Sequence, residues 1–431
     1  MNKPSWDTAQ ALNELADEVK DRLRERPRAA DMFAACIRNT LETTIRRMPD
    51  GTTFVITGDI PAMWLRDSAA QVRPFLLLAD QDRALSDMIK GLVERQFRYI
   101  LHDPYANAFN ESANGRGHQS DLTEMSPIIW ERKYEIDSLC YPIQLSYLLW
   151  KNGGRTDQFN ETFAAGVREI LALWKREQRH ESASPYRFQR MNCPPTDTLP
   201  RAGKGAPVAY TGMTWSGFRP SDDACAYGYL VPSNMFAVVA LRYVREIARD
   251  VLGDSGLAGE AEALEREIDK GIAQYGKIVH PEFGEMYAYE TDGFGHHVLM
   301  DDANVPSLLS IPYLGYCPAD DPVYVRTRRF VLSEANPYFY KGEAAEGIGS
   351  PHTPKDYIWH IALAVQGLTA SSQAEKERLL DVMTETDAGK GMMHEGFHKD
   401  DPGRYTREWF SWANMMFCEL VLDVCGMRVK K

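Results

Sequence analysis

The sequence predicts an all-α protein, a toroid of paired helices of the (α/α)6 barrel class with long loops and a few short strands. Three observations predict it. Apolar residues recur with helical spacing in about twelve stretches of similar length along the 431 residues. No Gly/Ser linker or shift of composition divides the chain, so residues 1–431 read as a single domain. Strand-like runs are short and rare, with Thr53 to Ile56 and Met286 to Tyr289 the clearest. A helical superhelix, or two helical subdomains, would fit the same helix count.

The stretches fall at roughly 7–25, 29–47, 65–80, 85–101, 133–151, 157–179, 231–252, 257–279, 321–334, 355–370, 373–387 and 405–425. The fourth shows the pattern plainly. Leu85, Met88, Ile89, Leu92, Val93, Phe97 and Ile100 repeat at three- and four-residue intervals and mark one buried face. Punctuation agrees with the periodicity: Gly153-Gly154 ends one helix, Pro232-Ser233 opens another, and Gly426 follows the last.

Between the helices, residues 102–132, 180–230, 280–304 and 335–354 are long and rich in Gly, Pro, Asn, His, Trp and Tyr, interleaved with charge. Loops of this length in a compact domain are functional or disordered, and the aromatic content argues for function. They are expected to converge on one face and build a cleft. A carbohydrate suits such a lining, since a pyranose face stacks on Trp or Tyr while its hydroxyls need carboxylate, Arg and Asn partners.

A net charge of -12 without a long acidic run argues against nucleic-acid and anionic-membrane partners. The first fifteen residues, MNKPSWDTAQALNEL, contain no apolar core of a signal peptide, and no eighteen apolar residues run together. Seven cysteines without a C-x-x-C spacing read as thiols in a reducing compartment, so a cytoplasmic location is expected. The sequons at Asn110 and Asn160 then carry no meaning.

"MHEGFH", Met393 to His398, matches H-E-x-x-H, in which His394 and His398 would bind zinc and Glu395 would act as general base, with Glu419 available as third ligand. That motif requires a continuous helix. Gly389, Gly391 and Gly396 would each cost about 1 kcal/mol inside one, and Asp400-Asp401-Pro402-Gly403 reads as a turn. Neither a nucleophile elbow nor a phosphate-binding loop is present. What remains is carboxylates in loops: Asp59, Asp67, Glu131, Asp222-Asp223 and Glu395. No metal or other cofactor is called for.

"TGDIPAMWLRDSAAQVRPFL" (57–76), "ERKYEIDSLCYPI" (131–143), "GFRPSDDAC" (217–225) and "GMMHEGF" (391–397) together resemble glycoside hydrolase family 125, from about Asn39 to Cys418. The resemblance implies an (α/α)6 barrel and a metal-independent, inverting exo-α-1,6-mannosidase acting on mannose-containing oligosaccharides. It places the general acid on Asp222 and the general base on Glu395. An inverting glycosidase needs such a pair, one carboxyl protonated to assist the leaving group and one ionised to activate water. The like charges of Asp222 and Asp223 would help to keep one of them protonated, and the sequence by itself does not choose between the two. Ser221 equally fits a helix cap with the two aspartates in the first turn.

Trp64, Arg66, Asp67, Glu131, Asp137, Arg219 and His352 are candidates for holding the terminal sugar, with Trp359 a weaker one. Arg66 and Asp67 also fit a buried structural ion pair, Asp137 a helix cap, and Asp59 a turn residue before Pro61. A different carbohydrate enzyme on the same barrel, or a binding protein without catalysis, remains open at this point. Retention of both carboxylates speaks against the latter.

Overall fold

The computed structural model describes residues 8–430. Among them, twelve helices have eight or more residues: α1 (Ala9–Arg22), α2 (Pro27–Asn39), α3 (Leu65–Val72), α4 (Arg83–His102), α5 (Asp137–Gly153), α6 (Glu161–Glu177), α7 (Val231–Ile247), α8 (Ser255–Tyr275), α9 (Pro322–Val331), α10 (His360–Leu368), α11 (Gln373–Glu385) and α12 (Ser411–Val424). Each falls within or against one of the twelve periodic stretches. The first begins at Ala9; residue 7 of the expected stretch lies outside the described residues.

Burial sorts the helices into two rings. In α12 every residue from Ser411 to Asp423 is buried, and α3, α5, α7 and α10 are buried on nearly all sides. Helices hydrophobic all round belong in a core. The turn Ile311–Leu314 completes this inner ring between α7 and α10. Four residues are too few to show a period, which is why the sequence does not reveal it. Neighbours pack in circular order: α3 on α5, α5 on α7, α7 on Ile311–Leu314, α10 on α12, and α12 back on α3. The outer helices α2, α4, α6, α8, α9 and α11 each precede an inner one, giving six pairs, and α1 packs outside on α2.

Outer helices are amphipathic in the ordinary way. In α8, Leu257, Ala261, Leu264, Ile268 and Ile272 form one buried stripe, and the Asp254 side chain caps the N-terminus by accepting from the Leu257 amide. Gly154 ends α5 in the left-handed conformation at φ 64°.

Strands are more numerous than the sequence suggests, though none exceeds six residues. They pair in two- and three-stranded antiparallel ladders that tie loop ends together. One ladder joins Met63–Trp64, Ala108–Phe109 and Ile129–Glu131; another joins Tyr357–Trp359, Gly396–His398 and Asp401–Thr406. Tyr357–Trp359 and the end of Asp401–Thr406 occupy the starts of the segments read as helix at 355–370 and 405–425. All seven cysteines are free thiols, five of them buried. No helix among the described residues is long and apolar enough to cross a membrane.

Candidate active site

The alternation of outer and inner helices runs every inner helix in the same sense, so their N-termini gather at one end of the toroid. Trp64, Arg66 and Asp67 stand at the start of α3, Asp137 at the start of α5, His360 at the start of α10 and Ser411 at the start of α12. The positive ends of the helix dipoles therefore face this end, which favours carboxylates there. A small cleft opens on it, lined by Trp64, Arg66, Asp67, Asp222, His352 and Glu395 of the expected residues, together with Trp359.

Asp222 sits at the tip of a tight turn. Its amide donates to the Arg219 carbonyl (2.9 Å), and the Arg219 amide donates to the Asp223 carbonyl (2.8 Å). No helix follows, so the expected cap at Ser221 does not form, and the Ser221 hydroxyl instead donates to Asp302 (2.9 Å). Asp222 has φ 67°, a left-handed conformation that Asp tolerates better than most residues. The turn separates the doublet: the Asp222 side chain reaches the cleft and is 25% exposed, whereas Asp223 is 2% exposed and pairs with His352 Nδ1 at 3.0 Å. The groups acting most strongly on Asp222 are thus not those expected. Burial pushes its carboxyl up, but Arg66, a hydrogen bond shared with Glu135, Lys133 and His352 outweigh burial and hold it below the usual carboxylate range.

Arg66 is the hub beneath the cleft. Its Nη1 donates to Glu135 (2.5 Å) and Asp137 (3.1 Å), its Nη2 to Asp222 (3.3 Å), and its Nε lies 3.4 Å from Asp67. Burial raises the Asp67 carboxyl to about 6 against the pull of Arg66. Asp67 Oδ2 has no hydrogen-bond donor among the described residues, and neither Trp64 Nε1 nor Trp412 Nε1 has an acceptor. Buried polar atoms without partners are uncommon, and these three all belong to residues of the cleft wall.

Glu395 enters on the strand ladder, one residue before Gly396–His398. It is 5% exposed, and Arg407 Nη1 lies 3.5 Å from its carboxylate. Arg407 is itself held by Asp59, whose oxygens accept from Nε at 3.1 and 3.2 Å. Asp59 belongs to this support as well as to its turn. Gly58 permits the approach: with φ 128°, a Cβ here would stand 2.7 Å from the Trp409 carbonyl oxygen.

The H-E-x-x-H segment is a loop running into a strand, which removes the helical register a zinc motif requires. His394 is buried, its ring nitrogens facing the carbonyl oxygens of Glu408 (3.1 Å) and Asp387 (3.2 Å). Among the described residues no group of three His, Cys, Asp or Glu side chains is placed to hold a metal.

Three expected sugar contacts, Asp137, Glu131 and Arg219, do not line the cleft. Asp137 is fully buried against Arg66, and it is the first residue of α5 rather than a cap. Glu131 is 3% exposed and held by Asn107 (3.0 Å) and Arg190 (2.8 Å). Arg219 donates to the buried Glu290 (2.6 Å), which also accepts from the Tyr227 amide and so fastens the turn that carries Asp222. Each carries a charge that finds its opposite inside the protein. Conversely, the cleft wall includes Thr57, Ile60, Asn304, Arg407, Phe410 and Trp412, which sequence reasoning passed over. The signal for the last three was the run Arg407-Glu-Trp-Phe-Ser-Trp412, an aromatic and charged mixture like that of the other loops but absorbed into a helix.

Residues 26–422 match the profile Glyco_hydro_125, described as metal-independent alpha-mannosidase. A metal-independent α-mannosidase from Streptococcus pneumoniae, solved in a non-productive complex with α-1,6-mannobiose, is 54% identical and superposes with a TM-score of 0.96 over 97% of this chain and 99% of that one. The meiotically up-regulated gene 157 protein of Schizosaccharomyces pombe is 40% identical over 96% of this chain and 86% of its own length. A wild-type glycosidase at 12% identity and TM-score 0.54, covering 96% of this chain and 98% of its own, shares the fold alone. The chain belongs to glycoside hydrolase family 125, the metal-independent α-mannosidases.

Proposed function

We propose that the enzyme releases single mannose units from the non-reducing ends of α-1,6-linked oligosaccharides with inversion, Asp222 protonating the leaving oxygen and Glu395 activating water. The observation that carries this reading is the presence of both carboxylates on one small cleft whose wall also holds Trp64 Nε1 and Trp412 Nε1 without hydrogen-bond acceptors and Asp67 Oδ2 without a hydrogen-bond donor. The disaccharide bound by the Streptococcus pneumoniae enzyme supports the α-1,6 linkage.

In this mechanism the Asp222 proton passes to the glycosidic oxygen as the bond to the anomeric carbon breaks. Water attacks from the opposite face and gives a proton to Glu395. Arg407, braced by Asp59, lies against the Glu395 carboxylate and holds it in place. Trp64 and Trp412 donate to sugar hydroxyls and Asp67 accepts from one, while Glu131, Asp137 and Arg219 hold this wall in place. The whole chain acts as one catalytic domain. Its seven unpaired thiols support a reducing, cytoplasmic setting.

Incubation of the pure protein with α-1,2-, α-1,3-, α-1,4- and α-1,6-mannobiose tests the specificity. Mannose is expected from the α-1,6 isomer alone, and faster release from another linkage, or a requirement for phosphate, overturns it.

A further inference from the structure

Four carboxyl groups crowd one guanidinium. Asp67, Glu135, Asp137 and Asp222 all lie within 3.4 Å of Arg66, and Glu135 and Asp137 are completely buried. The other nearby cations are already matched. Lys133 pairs with Asp197 (2.7 Å) and Glu131 (3.7 Å), and His352 pairs with Asp223. Four carboxyls gathered on one guanidinium repel one another when all are ionised, which favours retention of a proton within the cluster.

The contacts indicate where it resides. Glu135 Oε1 and Asp222 Oδ1 both accept from one atom, Asn107 Nδ2, at 3.4 and 3.3 Å, and both carboxyls also accept from the Arg66 guanidinium, so the two converge on the same pair of donors. Two carboxylates in such contact repel unless a proton lies between them. Ser138 and Arg66 fix the far oxygen of Glu135, leaving Oε1 for Asp222. Burial pushes the Glu135 carboxyl well up, and Asp222 and Asp137 add to the rise against the pull of Arg66.

We propose that Glu135 and Asp222 hold one proton between them, and that this is the proton delivered to the leaving oxygen. Glu135 is then a positioning residue that never touches the sugar. Before turnover the pair carries a single negative charge. During the step its proton leaves with the departing alcohol, so the pair becomes doubly ionised beside Arg66 and Lys133 while Glu395 gains the proton of the attacking water. Exchange with solvent resets both. Without Glu135, Asp222 would face Arg66, Lys133 and His352 alone and would be ionised at neutral pH.

The inference rests on Asp222 as the acid, and the test separates the two ideas. Glu135→Gln and Asp222→Asn are assayed on α-1,6-mannobiose and on 2,4-dinitrophenyl α-mannoside, whose leaving group needs no proton. Glu135→Gln should lose about 10²–10⁴ in kcat/KM on the disaccharide, the usual worth of general acid assistance. On the activated substrate it should stay within about tenfold of wild type, as the stronger acid leaves unaided. Equal loss on both substrates in a folded Glu135→Gln, with rescue retained in Asp222→Asn, overturns the shared proton and leaves the acid assignment standing. Absence of rescue in Asp222→Asn defeats both. Should Glu135→Gln not fold, wild-type protein labelled with ¹³C at Asp and Glu side-chain carboxyls decides the matter: one aspartate and one glutamate resonance should titrate together in a shared step, and independent titration of every carboxyl overturns the proposal.

Discussion

Arg66 Nη2 lies 3.3 Å from Asp222 Oδ1, so the proposed acid is in contact with a buried, permanent cation. A cation beside a carboxyl favours its ionised form, the opposite of what an acid needs. The same guanidinium holds Asp67, Glu135 and Asp137. Seen as part of that cluster, Asp222 is one of several negative groups competing for one positive charge, and the site's protonation belongs to the cluster rather than to a single residue.

Removing that charge should be costly. Arg66→Met leaves buried carboxyls without their cation, a loss of the order of 3–5 kcal/mol for a broken buried pair. Chemical denaturation should show a destabilisation of that size at pH 7, smaller at pH 4 where Asp67, Glu135 and Asp137 are protonated. A variant as stable as wild type at pH 7 would mean that the carboxyls are not ionised there.

The two carboxylates of the cleft should fail differently. Asp222→Asn and Glu395→Gln each lose about 10²–10⁴ on α-1,6-mannobiose. On 2,4-dinitrophenyl α-mannoside Asp222→Asn recovers most of its rate and Glu395→Gln does not, since water still lacks its base. Rescue in Asp223→Asn instead of Asp222→Asn would show that the wrong member of the doublet has been assigned.

His352 titrates far from its ordinary value. Burial pulls it down, but the hydrogen bond and charge of Asp223 raise it to about 9, so it is protonated at neutral pH. A raised pKa in the folded state stabilises fully below the unfolded value of about 6.5 and ceases to do so as pH rises through about 9. Asp223→Asn should therefore lose most stability near pH 6, progressively less as pH rises from about 6.5 to about 9, and little above that, by a modest amount because the His352 side chain is 36% exposed. The imidazole resonances of His352 should report the same change directly, moving near pH 9 in wild type and lower in the variant.

Gly58→Ala probes the frame behind Glu395. The added Cβ meets the Trp409 carbonyl oxygen at 2.7 Å, and φ 128° is strained for any side chain, a penalty of about 1–3 kcal/mol. Because the same contact locates Arg407 and Phe410, kcat should fall along with the melting temperature. Unchanged kinetics would show that the position of Arg407 does not depend on this contact.

The helices were legible in the sequence because each carries its own period, and inner and outer helices differ in how much of their circumference is apolar. The turn Ile311–Leu314 and the two-residue strands were not, being shorter than any period. The proposed roles of Asp222 and Glu395 came through the family resemblance carried by the motifs around them, and the cluster beneath them left no such trace. Arg66, Asn107, Glu135 and Asp222 come from four distant segments, and nothing local to Glu135 distinguishes it from Glu131 or Asp137 nearby. For the same reason Glu131, Asp137 and Arg219 were expected against the sugar when their partners are Asn107 and Arg190, Arg66, and Glu290.

The stereochemistry of the first product tests the account most directly. Inversion requires Asp222 and Glu395 to stand on opposite faces of the sugar, about 6.5–9.5 Å apart with water between, whereas a retaining pair would be about 5–5.5 Å apart. Hydrolysis of α-1,6-mannobiose followed by ¹H NMR before mutarotation should show β-mannose appearing first, with the α-anomer growing in later. If α-mannose appears first, Glu395 does not act as a base on water and the assignment of roles across the cleft is wrong.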